Sequence, residues 1–266
     1  MDLKKVVQNT KCFVLDMDGT IYLGDRLFDF TVDFLKEVEK SGREFVFFTN
    51  NSSKNAAFYV EKLRKMGIEI DPKKMLISNQ VIIKYLQQNH AGKSVYVVGT
   101  EHLVQDFIDA KIEVKDDDSA DIGILGFDLT LTYEKLCKIC DIARAGRPVF
   151  GVNMDYNCPT DGGYIPDCGA MAALITASTG ANVEFFGKPS PHTLKHMVEE
   201  SGFNEDEITV VGDRLYTDIA TTHGSKASSI LVLSGESQLV DIPNFEAKPD
   251  AVAKDLAEVT EILRGL

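Results

Sequence analysis

Three short apolar runs in this chain end in polar residues suited to phosphate chemistry: FVLDMDGT (Phe13–Thr20), FVFFTNN (Phe45–Asn51) and ITVVGDRLYTD (Ile208–Asp218). A fourth run, Val183–Phe186, leads into GKP at Gly187–Pro189 and adds Lys188. The apolar stretches lack the alternation of a half-solvated strand and read as buried parallel strands. Ligands of an open α/β sheet bind beyond the carboxyl ends of such strands. Asp16, Asp18, Thr49, Asp213 and Asp218 are therefore expected to converge from distant parts of the chain. Together with Lys188 they would suit a Mg²⁺ ion and a phosphoryl group.

Asp16 and Asp18 flank a single residue, and Gly19 marks the point where the chain turns. One carboxylate can attack phosphorus to give an aspartyl-phosphate, splitting one difficult transfer into two steps. The other, Asp18, can protonate the leaving alcohol and then deprotonate the water that hydrolyses the intermediate. Mg²⁺ takes oxygen ligands, often one or two carboxylates with several waters and a substrate phosphate. Asp16 and Asp213 suit that role, and the ion would screen the nucleophile from the anionic phosphate. Thr49 and Lys188 would hold phosphoryl oxygens, the lysine as a point charge. A lone DxD, TN or GKP is common on solvated loops. The argument rests on their combination, each directly after an apolar run.

The surrounding pattern alternates strands and helices. Strand Cys12–Leu15 precedes a helix over Thr31–Lys40 closed by Gly42. Strand Phe45–Phe48 precedes a helix over Ser53–Met66, with Ser52 or Ser53 as N-cap and Gly67 as C-cap. Met75–Ile77 and Gln80–Gln88 follow as strand and helix. A second α/β unit then runs through Val95–Val98, Glu101–Ala110, Ile122–Leu125, Tyr133–Ala145 and Val149–Val152, to a helix over Ala170–Ser178. The chain resumes the first pattern with Pro191–Glu200, Ile208–Val211, a helix over Tyr216–Thr222 and strand Ile230–Leu233. The simplest topology is a sheet domain interrupted by an insert at about 81–180.

The chain has 266 residues, 44% apolar and 26% charged, enough for one large or two ordinary soluble domains. A formal net charge of −13 argues against a nucleic-acid or anionic-membrane surface. It leaves small anionic substrates open, because a bound divalent cation inverts the local field. No apolar stretch approaches the roughly 18 residues of a membrane span. The first residues, MDLKKVVQNTK, do not read as a secretory signal. The five cysteines suggest no disulfide framework, so a cytoplasmic location is expected.

With these motifs in place, the chain resembles the haloacid dehalogenase superfamily of phosphotransferases. DMDGT matches the first motif, FVFFTNN the second, FGKP the third and GDRLYTD the fourth. DGTIYLGD, TNNSS and GDRLYTDIAT are similar to the NagD-like, p-nitrophenylphosphatase-type subfamily. The resemblance implies an α/β fold: a Rossmann-like, doubly wound parallel sheet core (1–80 and 181–266) with an inserted α/β cap (81–180). It implies Asp16 as nucleophile, Asp18 as acid/base, Thr49, Asn50 and Lys188 as phosphate-binding residues and Mg²⁺ as cofactor. Asp16, Asp213 and the backbone carbonyl of Asp18 would hold the metal, with Asp218 supporting them. It also implies that the cap loop faces the leaving group, which singles out Asn153 and Asp155 for specificity; a purely structural turn there is the alternative. One departure is Ser225-Lys226, which stand where the family carries an Ala-Gly turn; Gly224 is expected to supply the positive φ instead.

Other residues have plainer readings. Cys137 and Cys140 form a CxxC without a second pair at zinc-site spacing, and helical periodicity turns both toward the insert's core. Cys168 packs as a small residue before a helix, and Asp116–Asp118 form a solvated loop. The histidines lack partners at metal-ligand spacing. The leading function is a Mg²⁺-dependent phosphatase for a small phosphorylated metabolite, with sugar phosphates, nucleotides, glycerol phosphate and pyridoxal phosphate all open. The alternatives are a phosphoryl-accepting signalling module and a non-catalytic sugar-phosphate binder. An exposed cap face would accommodate a homodimer.

Overall fold

A computed structural model describes residues 2–160 and 162–266; Asp161, within the turn-rich segment noted above, lies outside them. The first elements are α1 (Leu3–Asn9), β1 (Cys12–Leu15), the hairpin β2 (Tyr22–Leu23) and β3 (Arg26–Leu27), α2 (Thr31–Lys40), β4 (Glu44–Thr49), α3 (Ala56–Lys65) and β5 (Met75–Ile77). The next group comprises α4 (Ser78–Asn89), β6 (Val95–Val98), α5 (Glu101–Asp109), β7 (Val114–Lys115), β8 (Ile122–Leu125), α6 (Tyr133–Arg144) and β9 (Val149–Gly151). It continues with β10 (Asn157–Thr160), β11 (Gly163–Pro166), α7 (Cys168–Thr179) and β12 (Val183–Phe185). The chain closes with α8 (Pro191–Ser201), β13 (Ile208–Gly212), β14 (Ser228–Val232), β15 (Ala251–Ala253) and α9 (Leu256–Arg264).

The chain divides into two compact units: 1–49 with 60–76 and 193–266, and 50–59 with 77–192. The first unit holds a six-stranded sheet in the order β15-β14-β13-β1-β4-β5. Successive strands run outward from β1 on one side and from β13 on the other, so the strand order reverses between these two. That is the topological switch point, where open α/β sheets form their ligand crevice. The β1 register levels Leu15 with Val211 of β13 and with Phe47 of β4. Asp16 and Asp213 consequently lie just beyond, and Thr49 at, the same edge of the sheet. All four β1 side chains are buried, and Phe13 meets Phe34 of α2 edge-on at 5.6 Å. Helix α2 buries Thr31, Phe34, Leu35 and Val38, the spacing of one helical face. Helix α9 packs beside it, N-capped by Asp255 and tied by Arg264 to Asp33 at 3.1 Å.

The second unit is built on a five-stranded sheet in the order β12-β9-β8-β6-β7, with parallel pairings throughout. Ile139 and Ile142 of α6 and Met171, Ala172 and Ile175 of α7 form its core with Val98, Leu125 and Val149. The antiparallel hairpin β10–β11 was not visible as strands in the sequence, because Pro159, Gly162 and Gly163 hide the β signal.

Several predicted boundaries shift, for local reasons. The helix expected over Ser53–Met66 starts at Ala56, because Asn55 Oδ1 accepts the Phe58 N–H at 3.0 Å. Neither proposed N-cap serine caps it: Ser52 Oγ donates to Asn153 and Ser53 Oγ to Asn51. The helix expected over Tyr216–Thr222 is a wide π-helical turn, Leu215–Ile219, followed by a 3-10 turn, Ala220–Thr222. There Asp218 Oδ2 accepts the Arg214 N–H at 3.1 Å and Thr221 Oγ1 donates to Thr217 O at 2.7 Å, competing with a regular ladder. Helix α7 begins at Cys168, capped by Asp167. Cys140 is buried as expected, but Cys137 is exposed, so only one cysteine of that pair faces the core. Gly224 adopts φ +75°, as the departure at Ser225-Lys226 required.

A buried ion pair anchors the loop after β8. Asp128, whose side chain is 0% exposed, accepts from Lys135 Nζ at 2.7 Å and from the N–H and hydroxyl of Thr130. Removing the ammonium leaves a buried carboxylate with only neutral donors, which is costly even though Lys135 itself is partly solvated. Lys135→Met is expected to cost about 2 kcal/mol in urea unfolding. By contrast Lys138→Met, which breaks the 2.7 Å pair with exposed Glu134, should leave the urea midpoint essentially unchanged. Equal losses in the two variants would remove the special role of the Asp128 pair.

Candidate active site

At the switch point the carboxylates of Asp16, Asp213 and Asp218 approach within 4.8 Å of one another. Asp16 follows β1, and its N–H donates to Val211 O at 2.8 Å, continuing the sheet ladder by one residue. Asp213 and Asp218 are almost wholly buried. The wide turn after β13 brings Asp218 back over Gly212, where a Cβ would sit 2.2 Å from the Asp218 carboxyl carbon. Thr49, the last residue of β4, is also buried.

Asp213 is held by a loop that the sequence reading passed over. After β14, residues 233–237 wrap it: the Glu236 N–H donates to Asp213 Oδ2 at 2.7 Å and the Ser237 N–H to Asp213 O at 3.1 Å. Ser234 Oγ ties the loop to Gly19 O at 2.7 Å, and Ser237 Oγ accepts the Leu215 N–H. The fit leaves no room for side chains. A Cβ at Gly19 or at Gly235 would lie 2.5 Å or 2.0 Å from Asp213 Oδ2. The signal was present, since SSILVLSGES repeats the pattern of an apolar run ending in small polar residues.

This packing has an electrostatic consequence. Burial, then the charges of Asp16 and Asp218, push the Asp213 carboxyl well above the ordinary carboxylate range, against a smaller opposing effect of Arg214. Asp213 Oδ1 is buried with no hydrogen-bond partner among the described residues. Three converging carboxylates with one unsatisfied buried oxygen fit a hard divalent cation, which takes oxygen ligands and cancels the repulsion.

Asp18 has a different environment. Burial pushes its carboxyl up, while Lys62, Arg214 and an N–H bond from Gly24 pull it down. Lys62 fixes the β2–β3 turn as well, donating to Gly24 O at 2.8 Å and lying 4.2 Å over the Tyr22 ring. Asp16 and Asp18 thus have unlike surroundings: Asp16 faces two further carboxylates, whereas Asp18 lies near Lys62 and Arg214.

The remaining expected residues lie in the second unit. Lys188 is buried, and Asn50 grips its main chain: Asn50 Oδ1 accepts the Lys188 N–H at 2.8 Å and Asn50 Nδ2 donates to Lys188 O at 3.0 Å. Asn153 and Asp155, expected to face the leaving group, are buried and bonded within the protein. Asn153 Nδ2 donates to Asp155 Oδ2 at 3.0 Å and to Asp167 Oδ1 at 3.1 Å. Asp155 Oδ2 also accepts from Asn50 Nδ2 at 2.8 Å. Cys168 is buried at the start of α7, where burial raises its thiol and Sγ lies 3.1 Å from Leu125 O, so it is a packed residue rather than a nucleophile. Among the described residues no helix is long and apolar enough to cross a membrane.

Comparison with known proteins places this geometry. The family model for haloacid dehalogenase-like hydrolases matches residues 13–113, and a HAD-hydrolase-like model matches 185–259. An acid sugar phosphatase of Staphylococcus aureus is 32% identical, with 93% of this chain and 96% of that protein covered. The crystal structure of a 4-nitrophenylphosphatase from Thermotoga maritima superposes with a TM-score of 0.92 at 38% identity, covering 96% of this chain and 98% of the other. A putative NagD protein superposes at 0.88 with 35% identity, over 95% and 98% of the two chains. The chain belongs to the haloacid dehalogenase-like hydrolases, in their NagD-like, p-nitrophenylphosphatase-type group.

Proposed function

We propose that this protein is a Mg²⁺-dependent phosphatase that hydrolyses phosphomonoesters of small metabolites through an aspartyl-phosphate at Asp16. The observation that carries the reading is the Asp16–Asp213–Asp218 cluster with its unsatisfied Asp213 oxygen. The substrate class follows from the sugar phosphatase relative, which makes sugar phosphates the first esters to try. The insert at 81–180 is assigned the role of a cap, and Asp18 that of proton donor and acceptor.

In this reading one carboxylate oxygen of Asp16 attacks phosphorus in line with the leaving group. Asp18, whose carboxyl burial pushes above the ordinary carboxylate range, delivers its proton to the leaving oxygen. It then takes a proton from the water that attacks the aspartyl-phosphate, which restores the Asp16 carboxylate and the protonated Asp18 and releases inorganic phosphate. Asp16, Asp213 and the Asp18 main-chain carbonyl would hold Mg²⁺, with Asp218 behind them. When bound, the ion neutralises charge between nucleophile and phosphate. Thr49, the main chain of Asn50 and Lys188 are the proposed phosphate-binding groups, since the Asn50 side chain is engaged by Asp155 and Lys188.

Asp16→Asn removes the nucleophile while keeping the side-chain shape. Release of inorganic phosphate from p-nitrophenyl phosphate should fall by at least a factor on the order of a thousand. The same change removes one charge that repels Asp213, so the variant's thermal midpoint in EDTA should equal or exceed the parent's. Substantial turnover in the folded variant would refute the nucleophile assignment.

Asp213→Ala tests the metal assignment without relying on turnover. Calorimetric titration with Mg²⁺ should show affinity reduced by more than the roughly 10–100-fold that loss of an outer-shell partner costs. An unchanged isotherm would mean that Asp213 is not a ligand. EDTA should abolish phosphate release by the parent, and added Mg²⁺ should restore it.

A further inference from the structure

The buried polar network in the second unit uses a carboxylate that the chemistry above does not consume. Asp155 Oδ2 accepts from Asn50 Nδ2 at 2.8 Å and from Asn153 Nδ2 at 3.0 Å. The Asn50 amide lies between Asp155 and Lys188: its Nδ2 donates to both Asp155 and the Lys188 carbonyl, and its Oδ1 takes the Lys188 N–H. Both amide protons and the amide oxygen of Asn50 are engaged, so its orientation is fixed from two sides. A turned amide would set Oδ1 against the Asp155 carboxylate, two acceptors facing one another. Asn153 is held in turn by Ser52, whose hydroxyl donates to Asn153 Oδ1 at 3.0 Å while accepting the Phe127 N–H at 2.8 Å.

The turn that carries Lys188 is packed hard against this network. A Cβ at Gly187 would lie 2.7 Å from Asn50 Oδ1, 2.7 Å from Val152 O and 3.1 Å from the Asn153 Cβ. Asn50, Ser52, Asn153, Asp155 and Lys188 are all at least nine-tenths buried. In such a site a bond to a charged acceptor is worth more than at the surface, and leaving an amide unpaired is costly.

We infer that Asp155 is a positioning residue: it fixes the Asn50 amide, and through it the main chain from which Lys188 extends, and so sets affinity for the phosphoryl group whatever the leaving group. The inference rests on the proposed phosphate-binding role of Lys188. It departs from the expectation that Asp155 touches the leaving group, and the two readings predict different kinetics. A leaving-group contact changes the ranking of substrates. A positioning role lowers affinity for every ester and for inorganic phosphate alike.

The experiment measures inorganic phosphate binding by calorimetry in saturating Mg²⁺, together with kcat/KM for p-nitrophenyl phosphate and for several sugar phosphates. Asp155→Ala should weaken phosphate binding by about tenfold or more, the loss expected for a hydrogen bond to a charged group. It should lower kcat/KM by a similar factor for each ester and leave Mg²⁺ affinity as in the parent. Asp155→Asn keeps an oxygen that can accept both amide protons, so phosphate binding should return to within about threefold of the parent. Lys188→Ala should weaken phosphate binding at least as much as Asp155→Ala does, and adding Asp155→Ala to it should weaken the remaining binding by no more than about twofold, because residues acting in series are not additive. If Asp155→Ala does not fold, Asp155→Ser removes the same acceptor and leaves a hydroxyl that water can join. The inference is overturned if the folded Asp155 variants bind phosphate like the parent, if only the substrate ranking changes, or if Asp155→Asn loses as much as Asp155→Ala. Parent-like phosphate binding by Lys188→Ala would overturn it differently, by removing the phosphate role of the lysine itself.

Discussion

Three carboxylates at the switch point of a buried parallel sheet repel one another, and the first unit is arranged to hold them together anyway. Asp213 is almost fully buried and faces the charges of Asp16 and Asp218, which with burial push it toward protonation. In a protein with no other purpose for that edge of the sheet, such a cluster would be replaced by apolar residues at a gain in stability. Its persistence makes sense if a divalent cation completes it, since the ion converts mutual repulsion into shared coordination. Function at this edge therefore sets a demand that the rest of the fold must meet with backbone contacts, because side chains large enough to brace Asp213 would also fill the space.

The glycines and the loop after β14 meet that demand. Gly19 and Gly235 bring main chain against Asp213 from two sides, closer than a Cβ allows, and Glu236 contributes an N–H rather than a side chain. Gly19 holds φ +87°, which a β-carbon would strain even without the close contact. Asp18, one residue before Gly19, is served by a different element, the short β2–β3 turn held by Lys62. Two carboxylates separated by a single residue therefore acquire unlike environments because they are addressed by different loops. That difference is set by tertiary contacts and cannot be deduced from the DMD spacing.

The strand ends were legible because of the mechanics of parallel sheets. A central strand must be apolar on both faces, so the first polar residue after the run marks its carboxyl edge. Asp16, Thr49 and Asp213 were located this way, and the register places them within one residue of one another at the same edge. The wide turn at Leu215–Ile219 was not legible, because Tyr216–Thr222 has adequate helical periodicity and only the fold-back of Asp218 onto the Arg214 N–H prevents a regular helix. The start of α3 moved for a similar reason, since Ser52 and Ser53 have tertiary or local partners that compete with capping. Asn153 and Asp155 show the deeper limit. A polar residue after a strand can face a ligand or complete a buried network, and sequence alone gives the same pattern for both. Their burial and bonds to Asn50 are properties of the assembled second unit.

The charge of the chain sharpens the division of labour. A formal net charge of −13 opposes the approach of any phosphate ester, so attraction must be local and short-ranged. At physiological ionic strength, exposed charges are largely screened beyond roughly 8 Å, while buried ones act with far less screening. In its proposed phosphate-binding role, Lys188, buried and held by its main chain, would meet this condition better than a flexible surface lysine, because little of its freedom would remain to be lost when an anion binds. Such a lysine must be aimed by other groups, since its own side chain has nothing covalent to orient it beyond its backbone. The amide of Asn50 holds the Lys188 main chain, and the Asp155 carboxylate that bonds the amide makes the amide's orientation single-valued. On the proposed role of Lys188, an acidic residue such as Asp155 would increase the grip on phosphate by acting through a neutral amide rather than on the anion.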